Sequence, residues 1–274
     1  MFELSDKDYH RIKDIIYNVI GINLGDSKKE LLRTRLSKRL RALSIDTFDE
    51  YYNHVTKRDQ SELTHLFDAI STNTTSFFRE MEHFKFVTST VLPALIEEKK
   101  KKNDREIRIW SAASSTGEEA YSIAMTVLEF LRPQLGWNVK ILATDISTKV
   151  IAKVEAGIYT EDRVSTVPKE MLRKYFRKGR GELAGMVKLK DEVKNMVYPR
   201  RINLQVAQFP FKKEFDFIFC RNVMIYFDKE TQLAIVDKLY RHLKKGGYLF
   251  LGHAESLTGI QTQFRYVKPT VYIK

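Results

Sequence analysis

The sequence is short of cysteine and of long apolar runs, and each shortage excludes a class of protein. One cysteine, Cys220, among 274 residues cannot build an intrachain disulfide framework, and this fits a reducing compartment. No apolar run reaches the 18 residues that a membrane-spanning helix needs, and the N-terminus MFELSDKDYH has neither the basic nor the apolar part of a signal peptide. We therefore expect a cytoplasmic protein without direct membrane insertion.

Metal ligands are also sparse. The six histidines show no metal-binding spacing, and a single cysteine cannot complete a thiolate site. The sequence therefore predicts no metal.

Positive charge, in contrast, is abundant, because 47 lysines and arginines face 35 acidic residues and leave a net charge of +12. A basic surface attracts polyanions, and both nucleic acid and an acidic protein surface meet that description. Part of the excess has a plainer interpretation, since residues 97–105, EEKKKKNDR, also suit a solvated charged linker.

Residues 1–85 are predicted to form a small all-helical domain. Apolar residues recur at spacings of three and four, which is the mark of amphipathic helices. The second of these helices is basic from Lys28 to Arg41, with Leu32, Leu36 and Leu40 on its apolar face. This basic helix is a candidate partner-binding surface, and a merely solvated face is the alternative.

Residues 86–274 alternate short apolar strands with longer helical patterns, which predicts a mainly parallel sheet covered by helices on both faces. The last stretch, FRYVKPTVYIK, predicts a terminal hairpin. A glycine-containing segment at about 175–198 predicts a small inserted β subdomain. The strands of the main sheet are expected in IRIWSA, VKILATD, MVYPRRIN, FDFIFC and GGYLFLG.

The first strand leads into a helix through WSAASSTGEEAYSIAM, residues 110–125. A strand, a tight loop of small residues and a helix together form a cradle for nucleotide-like ligands. A dinucleotide fingerprint needs three glycines, but only Gly117 is present, and the acids Glu118 and Glu119 would repel a phosphate. The ligand is therefore expected to be neutral or cationic.

Polar residues follow the other strands, at the sheet edge where open parallel sheets bind ligands. Asp145 ends the second strand, where a carboxylate can accept hydrogen bonds from ribose hydroxyls; capping of the next helix is the alternative. A nucleoside without a triphosphate suits this arrangement. S-adenosylmethionine is such a molecule, and its positive charge explains the acids in the loop.

Five segments stand in order along the sequence: ISTNTTSFFRE, WSAASSTGEEAYSIAM, ILATDIS, RINL and FDFIFCRNVMIYFD. Together they resemble the CheR family, the chemotaxis methyltransferases that esterify receptor glutamates. The resemblance implies an α/β fold with a Rossmann-like S-adenosylmethionine-dependent methyltransferase sheet, an N-terminal all-helical domain and an inserted small antiparallel β subdomain.

The resemblance also implies particular site residues. It assigns catalytic roles to Tyr226, near the transferred methyl group, and to Arg79. An ion pair that serves only the structure is the alternative for Arg79 and Arg221, and a place in the core is the alternative for Tyr226. The cofactor contacts that it implies are Asn73, Thr75, Arg79, Glu118, Asp145, Asn203, Leu204, Arg221 and Asn222.

The activity implied by the resemblance is methyl transfer from S-adenosylmethionine to glutamate carboxylates of chemoreceptors, with S-adenosylhomocysteine as product. The expected partner is the helical bundle of the receptor, and in some family members also the receptor's C-terminal pentapeptide. We expect a monomer that binds no nucleic acid. Two rival functions are a nucleic-acid methyltransferase, which the charge favours, and a non-catalytic binding module. The sequence contains neither an [ND]PP[YF] tetrad nor a Pro-Cys motif, which argues against the first rival.

Overall fold

The computed structural model describes residues 2–71, 73–134 and 136–274, and its N-terminal part is a helical bundle. Tyr9, Ile16, Leu36, Tyr51 and Phe67 share one buried core, and the regular apolar spacing of the sequence puts them there. The predicted helical domain is thus present. Its helices are α1 (Asp6–Ile20), α2 (Lys29–Leu43), α3 (Phe48–Asn53) and α4 (Glu62–Ile70).

The rest of the described chain is built on a seven-stranded sheet of order β6-β2-β1-β7-β8-β10-β9. Strands β6, β2, β1, β7 and β8 run parallel, and β10 and β9 form the predicted antiparallel hairpin at the end of the chain. The strands are β1 (Glu106–Ala112), β2 (Asn138–Asp145), β3 (Ile158–Thr160), β4 (Phe176–Lys178), β5 (Met186–Leu189), β6 (Val197–Arg201), β7 (Phe215–Cys220), β8 (Leu243–Phe250), β9 (Arg265–Lys268) and β10 (Val271–Ile273).

Helices cover both faces of this sheet, and the sheet separates two apolar cores, one around Phe217, Phe219 and Phe250 and the other around Trp110 and Ile218. This is the predicted α/β architecture. No helix of the described residues is long and apolar enough to cross a membrane. The remaining helices are α5 (Met81–Phe86), α6 (Leu92–Lys101), α7 (Glu118–Leu131), α8 (Thr148–Ala156), α9 (Lys169–Tyr175), α10 (Asp191–Lys194) and α11 (Lys229–His242).

A separate three-stranded antiparallel sheet of order β3-β5-β4 lies outside the main sheet. The predicted range 175–198 contains β4 and β5 but omits β3, and it includes Val197, which pairs with Ile141 in the main sheet. The prediction missed β3 because its three residues pair with β5 across almost thirty intervening residues. A strand so short carries no periodic signal of its own.

Candidate functional site

A cavity of about 350 Å³ lies at the carboxyl ends of β1, β2, β6 and β7. The chain runs from β1 to β2 and β6 on one side and continues through β7 and β8 on the other, so the cavity sits where the strand order reverses. Open parallel sheets bind their ligands at such a point. The N-terminal domain forms the opposite wall with Ile20, Ile22, Asn23, Leu24, Gly25, Lys28, Leu31 and Ile70.

Most of the residues predicted from the sequence meet in this cavity. They come from the ends of three strands, β2, β6 and β7, and from the segment that joins the two domains, so no single stretch of sequence contains the site. The predicted residues that line it are Asn73, Thr75, Arg79, Asp145, Asn203, Leu204, Arg221, Asn222 and Tyr226.

Glu118 is the exception, because it does not appear among the described residues that line the cavity. Its side chain is fully buried and binds Thr116 and Arg163 instead. The neighbouring Glu119 takes the predicted position: it lines the cavity and accepts a hydrogen bond from Ser111 at 2.6 Å. Burial raises the pKa of Glu119, although the nearby Arg221 opposes that shift.

The loop after β1 is shaped by left-handed backbone at Ala113 (φ 59°), Ser115 (φ 49°) and Gly117 (φ 98°). A Cβ atom on Gly117 would also lie 3.0 Å from the Tyr159 hydroxyl and from Val154, so glycine is required there. The loop turns sharply enough to leave its small side chains at the cavity.

Asp145 fixes this loop from the end of β2. One carboxylate oxygen accepts the Ser115 N–H at 2.9 Å, and the other accepts the Ser147 N–H at 3.0 Å. Burial raises the pKa of Asp145, while these N–H donors lower it. Ser147, not Asp145, is the N-cap residue of α8, so the capping alternative is wrong.

The segment 73–79 runs along the cavity and is anchored by two aromatic residues. Phe77 packs edge-on against Tyr159 and Phe176, and Phe78 donates its N–H to the Ser122 hydroxyl at 2.9 Å. Both rings belong to the core of the sheet domain. This anchoring holds the segment against the sheet.

The two arginines of the site have different surroundings. The Arg221 side chain is buried, pairs with Glu80 at 2.9 Å and Glu119 at 3.4 Å, and donates to the Arg79 carbonyl at 2.6 Å. The alternative of a structural ion pair therefore describes Arg221 well. The Arg79 side chain is 38% exposed and donates to the Thr74 carbonyl at 3.1 Å, which leaves much of its guanidinium facing solvent.

Two residues connect the cavity to the N-terminal domain. Asn203 donates its amide to the Val19 carbonyl at 2.6 Å, and its oxygen accepts the Gln205 N–H. Tyr226 is half-buried in a short helical turn, and its carbonyl accepts the Asn23 N–H at 2.9 Å. Tyr226 is therefore at the domain boundary and is not a core residue.

Within the described residues, one cluster has the composition of a metal site: Glu80, His83 and His253, whose candidate ligand atoms lie within 4.8 Å of one another. Burial and the nearby Arg221 lower the pKa of His83 to about 4. The Arg221 guanidinium already supplies a positive charge to Glu80 at 2.9 Å. A metal ion bound to Glu80 would lie close to this guanidinium, and the two positive charges would repel each other.

The cavity suits S-adenosylmethionine. It combines an acid at the end of β2 with a second acid, Glu119, and places the buried Ser114 hydroxyl, which has no partner among the described residues, in its wall. Two carboxylates would repel a phosphate and attract a cationic nucleoside. Fold and cavity thus define the class: this is an S-adenosylmethionine-dependent methyltransferase.

Comparison with known proteins identifies the family. The family description "CheR methyltransferase, SAM binding domain" matches residues 73–273, and "CheR methyltransferase, all-alpha domain" matches residues 7–71. The chain therefore belongs to the CheR methyltransferase family. The two matches meet near residue 72, so the segment 73–79 falls with the sheet domain and not within the predicted domain 1–85.

Curated relatives extend over nearly the whole chain. The chemotaxis protein methyltransferase of Borreliella burgdorferi is 42% identical over 273 residues, which are 99% of this chain and 95% of the relative. That of Salmonella typhimurium is 40% identical, covering 98% of this chain and 90% of the relative. That of Escherichia coli is 38% identical, covering 98% and 91%.

The sequence-based prediction missed two parts of the cavity lining. Of the acidic pair it chose Glu118, whereas Glu119 lines the cavity, and it left out the wall formed by Ile20, Asn23 and Leu31. The sequence shows the acidic pair, but no local pattern indicates which of the two side chains faces the cavity. The wall depends on contacts between distant parts of the chain, which local sequence patterns do not predict.

Proposed function

We propose that the protein transfers a methyl group from S-adenosylmethionine to glutamate side chains of chemoreceptors and so forms glutamyl methyl esters. The observation that carries this proposal is a cavity with acids at its base and the cations Lys28 and Arg79 in its lining. The acids suit a cationic cofactor, and the cations suit an acidic substrate. The names of the relatives, chemotaxis protein methyltransferases, agree with this substrate class.

In this proposal Asp145 binds the ribose hydroxyls, and Glu119 faces the cationic end of the cofactor. Asn73, Thr75, Asn203, Leu204 and Asn222 complete the pocket. Arg221 holds Glu119 and Glu80 in place. S-adenosylmethionine supplies an activated methyl group on a sulfonium.

The proposed reaction needs little proton transfer. A glutamate carboxylate is already ionised at pH 7, so it attacks the methyl carbon directly while the methyl–sulfur bond breaks, and S-adenosylhomocysteine leaves. Arg79, with its half-exposed guanidinium, steers the incoming carboxylate. Tyr226 orients it through a hydrogen bond, and the closely packed domains keep water away.

We propose that helix α2 contacts the receptor through one face. Exposed residues at spacings of three and four form a single stripe that starts at the cavity. They are Lys28, the N-cap residue of α2, followed by Leu31, Thr34, Lys38 and Arg41. The other arginines of the helix are engaged within the protein, and Arg39 binds the buried Glu62 with two contacts of 2.6 and 2.8 Å. The stripe suits acidic residues on a receptor helix.

Charge reversal tests this surface. Lys38→Glu combined with Arg41→Glu should lower the rate of receptor methylation at least tenfold and leave the affinity for S-adenosylhomocysteine unchanged. Lys57→Glu with Arg58→Glu is the matched control, since it makes the same charge change at exposed positions elsewhere in the domain. Equal loss in both pairs would mean that only overall charge matters.

We propose the β subdomain as a second docking site, for the acidic C-terminal tail of a receptor. Its outer strands β3 and β4 are edges in the described residues, and an extended peptide can pair with such an edge. Residues 158–190, which contain the three strands of this subdomain, hold nine lysines and arginines against four acids. A receptor-tail pentapeptide that fails to bind in calorimetry, while S-adenosylhomocysteine still binds, would remove this part of the proposal.

Both domains of one chain complete the cavity, so we propose that a monomer is active, in the cytoplasm where receptor helices are reached. The main test is transfer of labelled methyl from S-adenosylmethionine to chemoreceptor membranes, followed by treatment with alkali. A carboxyl ester releases the label as methanol. Alkali-stable label, or label in RNA, would contradict the proposal.

A further inference from the structure

A buried carboxylate outside the predicted site holds the turn that carries Arg221, Asn222 and Tyr226. We infer that Glu255 is a positioning residue for this turn: it fixes the backbone that presents Tyr226 to the reacting groups. The inference rests on the proposed function, because it takes Tyr226 to act in methyl transfer.

Both carboxylate oxygens of Glu255 accept hydrogen bonds from backbone N–H groups. One oxygen accepts the N–H of Asn222 at 2.8 Å and that of Gly252 at 2.6 Å, and the other accepts the N–H of Met224 at 2.7 Å. The residue itself is only 5% exposed. Three backbone donors therefore converge on one carboxylate where little water competes for them.

These contacts join two strand ends. Asn222 and Met224 follow β7, whereas Gly252 and Glu255 follow β8, and the Glu255 N–H closes a turn onto the Gly252 carbonyl at 2.9 Å. Glu255 therefore ties the carboxyl ends of two neighbouring parallel strands together. This tie lies at the sheet edge that bears the cavity.

The turn that Glu255 holds is one that the backbone would not favour alone. Asn222 has a left-handed conformation with φ 59°. A Cβ atom on Gly252 would lie 2.4 Å from the side-chain Nδ2 of Asn222 and 2.8 Å from its backbone nitrogen, so the two turns are in close contact. Asparagine tolerates left-handed backbone better than most residues, and the carboxylate fixes this conformation here by accepting the Asn222 N–H.

Tyr226 depends on the same turn. Its N–H donates to the Val223 carbonyl at 3.1 Å, one residue beyond Asn222, and Met224 begins the short helix that ends at Tyr226. A shift at Asn222 or Met224 therefore moves the Tyr226 hydroxyl. Arg221 is less dependent, because Glu80 and Glu119 also hold it.

A double-mutant cycle on the full-length protein tests the inference. Glu255→Gln keeps the shape but places an amide NH₂ against backbone donors. With receptor membranes as substrate, we expect kcat to fall at least tenfold while the Kd for S-adenosylhomocysteine rises no more than fivefold. In a Tyr226→Phe background the same substitution should lower kcat less than threefold, because the group being positioned is already gone.

Equal fold-losses of kcat in the two backgrounds, or a loss that follows the folded fraction or the cofactor affinity alone, would overturn the inference. Gly252→Ala is a second variant that displaces the same turn without changing Glu255, and it should give the same pattern if Glu255→Gln does not fold. Asp216→Asn is the matched control, a buried carboxylate that also accepts a backbone N–H, from Arg108 at 2.7 Å. Its kcat per folded molecule should stay unchanged.

The activity of the wild-type protein distinguishes a failure of the proposed function from a failure of the role assigned to Glu255. Wild-type protein that transfers no alkali-labile methyl group to receptors contradicts the proposed function. An active wild type with additive losses in the cycle contradicts only the role of Glu255.

Discussion

The parallel strands of the central sheet all begin at one side of the sheet, here called the amino edge, and end at the other, the carboxyl edge. Charged side chains are buried at both, but their partners differ. At the amino edge, Asp216 accepts the Arg108 N–H and pairs with Lys99 at 3.2 Å and Lys244 at 2.8 Å. Lys99 also pairs with Asp104 at 2.8 Å. Buried polar atoms without a partner among the described residues occur at both edges: Ser114 Oγ and Arg221 Nε at the carboxyl edge, and Arg108 Nε and Trp137 Nε1 at the amino edge. Of these four residues, Ser114 and Arg221 line the cavity.

Left-handed backbone also occurs at both edges. Asn103 has it before β1 at the amino edge, whereas Ala113, Ser115 and Asn222 have it in the loops of the carboxyl edge that line the cavity. Strain and unsatisfied polar atoms cost stability, and at the carboxyl edge they surround the cavity where a ligand is expected. The amino edge stabilises the fold, and the carboxyl edge, roughly 15 Å away along the strands, is where binding and reaction are expected.

The largest effect should come from the amino edge. Asp216→Asn removes the negative charge shared by the buried Lys99 and the half-exposed Lys244, while Lys99 keeps Asp104, so we expect a loss of about 3 kcal/mol of stability, the lower end of the range for breaking a buried ion pair. Urea unfolding followed by far-ultraviolet circular dichroism measures it. Retention of the wild-type unfolding midpoint would remove the structural role that we assign to this edge.

Acid should weaken the fold through His83 at the carboxyl edge. Its pKa is about 4 in the folded protein, because burial, Arg221, His253 and Lys268 oppose protonation and only Glu80 favours it. An unfolded histidine has a pKa of about 6.5, so the unfolded state takes up the proton first as the pH falls from 6.5 to 4. The contribution is therefore fully present above pH 6.5 and is lost towards pH 4, by roughly 2 to 3 kcal/mol.

His83→Phe removes this titration, and stability between pH 6.5 and 4 should then depend less steeply on pH. The exposed His10 offers a control substitution, His10→Asn. An unchanged slope in the His83 variant would mean that other groups carry the acid sensitivity.

The smallest effect should separate the adjacent acids Glu118 and Glu119. Glu119→Gln removes a carboxylate from the cavity and should weaken S-adenosylmethionine binding about tenfold. Glu118→Gln breaks the buried contact with Arg163 and should cost about 1 to 3 kcal/mol of stability with unchanged affinity. Calorimetric titration and thermal melting of both variants decide the assignment, and the reverse pattern would restore Glu118 as the cofactor contact.

Much of this site could be predicted because strand ends leave a local signal. Asp145, Asn203 and Asn222 each follow an apolar strand, and the carboxyl ends of parallel strands necessarily meet at one edge. The choice between Glu118 and Glu119 could not be made in this way. Helix α7 buries side chains on nearly all sides, so its sequence has no polar face that would show which acid turns towards the cavity.

Other features depend on contacts between distant segments. Glu80 and Glu255 resemble ordinary surface acids in the sequence, yet Arg221 and three backbone N–H groups make their burial tolerable. The cavity wall from the N-terminal domain depends on contacts such as that of Asn203 with Val19, across 184 residues. Local patterns contain no information on such pairs.

The most direct measurement compares one carboxylate from each edge. Asp145→Asn and Asp216→Asn make the same chemical change to buried aspartates, and calorimetry at a temperature where both variants are folded gives their affinities for S-adenosylhomocysteine. We predict a loss of about 100-fold for Asp145→Asn, because hydrogen bonds to a charged group contribute about 1.5 to 3 kcal/mol, and no more than a twofold change for Asp216→Asn. Equal losses in the two variants, or wild-type affinity in Asp145→Asn, would contradict the division of the sheet into a binding edge and a stabilising edge.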